Sequence, residues 1–124
     1  CKNKPFLDLD IEYMNNIINI NLKVPIILTY YLLNSLNSII NINSMSGIES
    51  KKYRTLYAAS KWGLKGFSES LKNEIDKKNI LDVYPTSIKT NDQIENGMEV
   101  DNVAEAIYEA YINKKKEIIL DGRF

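Results

Sequence analysis

Tyr57 and Lys61 lie four positions apart in the run Tyr57-Ala58-Ala59-Ser60-Lys61. Residues i and i+4 share one face of a helix, so a phenol and an ammonium at this spacing can point into the same space. Ser44 precedes Tyr57 by 13 positions (57 − 44 = 13) and follows the run Ser38-Ile39-Ile40-Asn41-Ile42-Asn43. A strand ending in a serine, followed by a helix carrying the tyrosine and the lysine, makes a catalytic constellation if the three side chains converge. The residue types fit proton exchange at an oxygen. A free phenol has a pKa of about 10, too high for ready exchange at neutral pH, and a nearby ammonium favours the phenolate. A serine hydroxyl can hydrogen-bond a substrate oxygen as charge develops there. A carbonyl or alcohol oxygen is the natural partner of such a set.

The spacing alone does not single out this pair. Tyr111 and Lys115 repeat it in a second expected helix, without a strand and serine before them, in a chain of eight tyrosines. Composition narrows the alternatives. Histidine is absent and Cys1 is the sole cysteine, which excludes Ser-His-Asp and Cys-His catalysis and leaves no donor set for structural zinc, so no metal is expected. An intrachain disulfide is impossible, and a reducing, cytoplasmic location is the expectation. Sixteen basic residues balance sixteen acidic ones, so no global field attracts nucleic acid or a membrane surface. No apolar run reaches the length that spans a bilayer. Residues 24–33 are apolar but carry Pro25, Thr29 and two tyrosines, and they read as a buried helix.

The elements that must position these residues follow from periodicity. Residues 1–9 read as a loop, with Asp8 or Asp10 placed to cap the following helix. Met14, Ile17, Ile18, Leu22 and Ile26 recur at helical spacing, and Pro25 should kink that helix or end its first segment. Residues 34–37 form a turn before a short buried strand over 38–43. A long helix is expected from about Arg54 to Lys77, stopped by Asn79, with Leu64, Phe67 and Leu71 on one stripe and the charges near Lys72–Lys77 in solvent. Leu81–Tyr84 is a second strand, ended by Pro85. Residues 91–100 are polar, Asp101 reads as the N-cap of a helix over Val103–Tyr111, and Glu117–Leu120 is a third strand. Helix and strand alternate, which implies an α/β layer with a parallel sheet.

Three stretches resemble the short-chain dehydrogenase/reductase family. Ile40–Gly47 is similar to its strand and "SS-x-x-G" turn, with Asn43 in place of the first serine and Ser44 on the catalytic one. Tyr57–Leu71 is similar to its "Y-x-A-S-K" helix at the usual interval from the serine. Ile20-Asn21-Leu22 matches a "V-N-L"-like segment, and Pro85–Thr90 matches "P-G-x-V-x-T" with Thr86 in place of glycine. The resemblance implies a Rossmann-like, doubly wound parallel sheet and an NAD- or NADP-dependent oxidoreductase interconverting an alcohol and a carbonyl. It implies that Tyr57 exchanges the proton, that Lys61 assists it and holds the nicotinamide ribose, and that Ser44 polarises the carbonyl. Asn21 would distort its helix and anchor a relay water, while Pro85, the backbone near Ile88 and the Thr90 hydroxyl would border the nicotinamide. The resemblance also implies a small-molecule substrate and a homodimer or homotetramer built on the helices around 11–33 and 54–77.

The same resemblance implies one partial domain over residues 1–124, its C-terminal half. None of the five glycines forms the turn that cradles a pyrophosphate, and the βαβ units that carry it have no counterpart. Gly63 and Gly66 are expected to permit close helix packing instead. The intervals Asn21–Ser44 and Ile80–Pro85 are shorter than the family's, as if segments of a longer protein had been left out. A non-catalytic binding protein and an inactive half-domain are the alternative expectations.

Overall fold

The computed structural model describes residues 3–91 and 94–123; Cys1 and part of the polar 91–100 segment lie outside them. Asp10 supplies the first cap, its carboxylate accepting the Tyr13 N–H at 2.7 Å. Helix α1 (Ile11–Ile18) passes through a π-helical turn, Asn19–Lys23, into α2 (Val24–Leu32). The expected break at Pro25 is absorbed rather than expressed. Pro25 has no N–H to offer the Asn21 carbonyl four residues back, and the wider turn rearranges the hydrogen-bond ladder just where that bond is lost.

The continuous helix Ile11–Ser35 has 25 residues and a stretch of mean hydropathy 1.3, enough by length and composition to cross a membrane. This corrects the expectation that no apolar segment reaches that length. Asparagines interrupt the apolar run as written, but a helix averages over them. One side of this helix packs on α3 (Thr55–Glu74), where a side chain at Gly63 would come within 2.8 Å of Leu22. Gly66, expected to serve the same end, faces open space.

Strands β1 (Ser38–Ile42), β2 (Asn79–Pro85) and β3 (Glu117–Leu120) form a parallel sheet in the order β1-β2-β3. Helix α3 crosses from β1 to β2, and α4 (Val100–Ile112) from β2 to β3. The central strand is buried along Ile80–Pro85. Leu81 and Val83 pack with Ala110, Ile107, Ile118 and Leu120. β1 was expected to be buried, yet Ile40 and Ile42 are 40% and 49% exposed, because the sheet ends at β1 among the described residues.

Two further corrections concern charged side chains. α3 stops at Glu74, so Lys72 lies over the sheet instead of in the solvated helix end. It pairs with the buried Asp82 carboxylate at 2.5 Å and donates to the Lys116 carbonyl at 2.8 Å. Ser68 Oγ and Asn41 Nδ2 complete the shell around Asp82 at 2.8 and 3.1 Å. Asp101 is not the cap of α4; Glu99 holds that position without a side-chain cap bond, and Asp101 falls in the first turn, where its charge still opposes the positive helix end.

Candidate active site

The carboxyl ends of β1 and β2 open into a cleft of about 970 Å³. This is where an open parallel sheet leaves room for a ligand, since the chain diverges there into its crossovers. Ser44 leaves β1 in extended backbone, and its Oγ accepts the Ser46 N–H at 3.1 Å, which starts the tight turn Met45–Gly47. The hydroxyl proton is not used by that bond. Asn43, where the family motif has serine, donates from Nδ2 to the Lys61 carbonyl at 3.1 Å. Its buried Oδ1 has no partner, and a side chain at Gly47 would approach it to 2.9 Å. The asparagine thus ties the serine turn to α3, and Gly47 makes room for it.

Tyr57, in the first turn of α3, lines the cleft with Ser44 and Pro85. The Lys61 Nζ stands 5.7 Å from the centre of the Tyr57 ring, close enough for the cation to act on its electrons. The ammonium donates to the Ile42 carbonyl at 3.5 Å, and burial holds its pKa below the ordinary lysine value. Lys61 reaches across to a second hollow of about 480 Å³ beside the open edge of β1, which Asn21 also lines. Asn21 lies in the π-helical turn and donates to Ser60 Oγ at 3.1 Å, and Ser60 donates to the Tyr57 carbonyl at 2.7 Å.

Ser44, Tyr57 and Pro85 therefore share one cleft, while Asn21 and Lys61 meet behind it. Ile88 and Thr90 do not line the cleft. Ile88 pairs with Met98 as an isolated bridge, through the Lys89 N–H and the Ser87 carbonyl, and Thr90 N–H takes the Ile88 carbonyl at 2.9 Å. Thr86, in place of the expected glycine, clamps the C-terminal segment: its Oγ1 accepts the Gly122 N–H at 2.9 Å, and its own N–H reaches Leu120 at 2.9 Å.

Sequence reasoning assigned no role to Ser60 or to the charges at the cleft. Ser60 was legible only as a motif letter, because Asn21, which donates to it, comes from a helical turn 39 residues away. Arg123 donates to both Glu49 oxygens at 3.0 and 3.1 Å and from Nε to Asp121 at 2.8 Å. Hydrogen bonding by that guanidinium lowers the pKa of Glu49 and holds Asp121 at about 2.

A family model described as short chain dehydrogenase matches residues 1–100. The chain is 42% identical over 55 residues to trans-4-hydroxycyclohexanecarboxylate dehydrogenase of Sinomonas cyclohexanicum, a match covering 43% of this chain and 21% of that protein. A 4-hydroxyisoleucine dehydrogenase complexed with NADH has a similar structure, with TM-score 0.81 at 23% identity over 98% of this chain and 63% of that one. A short-chain dehydrogenase from Streptomyces avermitilis superposes with TM-score 0.86 at 20% identity, over 96% of this chain and 56% of its own. The chain thus spans about three-fifths of the length of the solved structures it matches, and their likeness establishes the fold.

Proposed function

The chain belongs to the short-chain dehydrogenase family, and from that premise we propose that it is an oxidoreductase interconverting an alcohol and a carbonyl with NAD or NADP. The observation that carries the reading is the convergence of Ser44 and Tyr57 on one cleft with the Lys61 ammonium 5.7 Å from the Tyr57 ring. When bound, a nicotinamide cofactor supplies or accepts the hydride. The donor set fits such a group: an ammonium has three N–H donors, and the one contact of Lys61 to Ile42 is long, at 3.5 Å.

In the proposed mechanism the Ser44 hydroxyl donates to the substrate oxygen and holds it against the phenol. Tyr57 gives a proton to that oxygen in reduction and takes it in oxidation. Lys61 stabilises the negative charge left on the phenol and offers its remaining N–H groups to ribose hydroxyls. Asn21 anchors a relay water, in a turn where Pro25 cannot satisfy the Asn21 carbonyl. Pro85 borders the nicotinamide from the cleft, and the segment of Ile88 and Thr90, whose neighbours Ser87 and Lys89 line that cleft, continues the border, Thr86 having taken the place of the usual glycine. We further propose that the protein is cytoplasmic and a homodimer or homotetramer.

Tyr57→Phe tests the reading. Loss of a positioned proton donor should lower turnover by roughly 100- to 10,000-fold, with nicotinamide cofactor affinity close to wild type. Turnover like that of the wild type in this variant would sink the assignment.

A further inference from the structure

The cations that line the cleft are not all paired. Among the described residues its lining holds four cations, Lys51, Arg54, Lys89 and Arg123, and one carboxylate, Glu95, in a chain whose sixteen basic and sixteen acidic residues cancel. Two of the cations are already engaged: Lys89 pairs with Glu99, and Arg123 with Glu49 and Asp121. Lys51 makes no ion pair among the described residues, although its charge is felt by Glu49 and Asp121. Among the described residues, the one side-chain hydrogen bond of Arg54 runs from Nε to the neutral Asn3 Oδ1, at 3.1 Å.

The backbone brings these two cations together. Arg54 N–H closes a turn onto the Lys51 carbonyl at 3.2 Å, and Tyr53 within it holds φ of 64°, a left-handed conformation that a bulky residue adopts only when its surroundings enforce it. Arg54 is also the residue just before α3 and precedes Tyr57 by three. Arg54 itself stands outside the helix, at φ −124° and ψ 23°, and both it and Tyr57 line the cleft. The positive end of the α3 dipole adds to the field at the same place.

We infer that the substrate is an oxo acid, or the hydroxy acid it interconverts with, whose carboxylate is held by Arg54 and Lys51. The inference rests on the oxidoreductase reading. The reacting oxygen lies between Ser44 and Tyr57, and the carboxylate lies at another part of the same cleft, at Arg54 and Lys51. The two groups of the substrate are therefore several bonds apart. A guanidinium recognises a carboxylate through parallel N–H donors, which an uncharged ester cannot match.

The test compares reduction of 4-oxopentanoate and 5-oxohexanoate with reduction of their methyl esters, using NADH and NADPH. The acids should exceed their esters at least tenfold in kcat/KM. Arg54→Gln should collapse that ratio tenfold or more, Lys51→Gln should reduce it, and Arg54→Lys should restore part of it. Equal turnover of acids and esters would overturn the carboxylate site and leave the oxidoreductase standing. If neither acid nor ester is reduced, calorimetric titration with 4-oxopentanoate decides the matter. Saturable binding lost in Arg54→Gln would keep the carboxylate site while the oxidoreductase reading fails, and no binding would overturn the inference.

Discussion

Lys61 donates one long bond to the Ile42 carbonyl, stands beside Tyr57, and is held by burial below the ordinary lysine pKa. Its proton therefore leaves at a pH below that of an exposed lysine. Between the lowered folded value and the ordinary 10.5, the unfolded chain binds more protons than the folded one. Stability from this group should accordingly rise with pH across that interval. The proposed role has the opposite sign, since the neutral amine no longer offers a charged donor. NADH affinity should fall as pH rises through the same interval, while urea midpoints do not. Lys61→Gln should weaken NADH binding about 10- to 100-fold, the scale of a charge-assisted hydrogen bond, and remove its alkaline decline. Fluorescence titration of NADH from pH 7 to 10.5 reads both effects, and a flat wild-type profile would remove Lys61 from the cofactor site.

At the scale of elements, the Asp82 cluster joins four pieces of the fold. Asn41 comes from β1, Asp82 from β2, Ser68 and Lys72 from α3, and the Lys116 carbonyl lies just before β3. Asp82 is 1% exposed, so its charge has no solvent to fall back on. Lys72→Met leaves that carboxylate buried without its cation and should cost about 3–5 kcal/mol in urea unfolding. Adding Asp82→Asn should recover part of the loss, because the unpaired charge is then gone; a double variant less stable than Lys72→Met would contradict this account. On the opposite face of β2, Leu81→Ala should cost about 2–5 kcal/mol, since Leu81 has no exposed surface and packs on Val83 and Ala110.

For the whole molecule, the open features are the edge of β1 and the outward side of the Ile11–Ser35 helix. Ile20, Val24, Leu28, Tyr30 and Tyr31 are exposed there, at 45% to 78%. Contiguous apolar surface of this kind marks a contact with protein or lipid. The proposed homo-oligomer would cover it, and Leu28→Lys with Tyr31→Lys should then shift the protein toward monomer in sedimentation velocity. The helix also has the length and composition of a membrane span, so flotation with lipid vesicles is the companion measurement. Association with vesicles and no self-association would favour a lipid contact over the oligomer.

What the sequence determined by itself was the local text and its order. Helical spacing, an aspartate cap at Asp8 or Asp10 and the alternation of elements foretold the parallel sheet, and the spacing of Ser44, Tyr57 and Lys61 marked them as side chains that could converge. These depend on neighbours a few residues apart, where periodicity and capping act. Tertiary structure decided the rest. It tied Asn21 to Tyr57 through Ser60, sank Lys72 onto Asp82, exposed Ile40 and Ile42, and set Arg54 and Lys51 on the lining of the cleft. Each of these depends on where a crossover lands or where the sheet ends. A charge written beside other charges does not reveal whether solvent, a buried carboxylate or a ligand will face it.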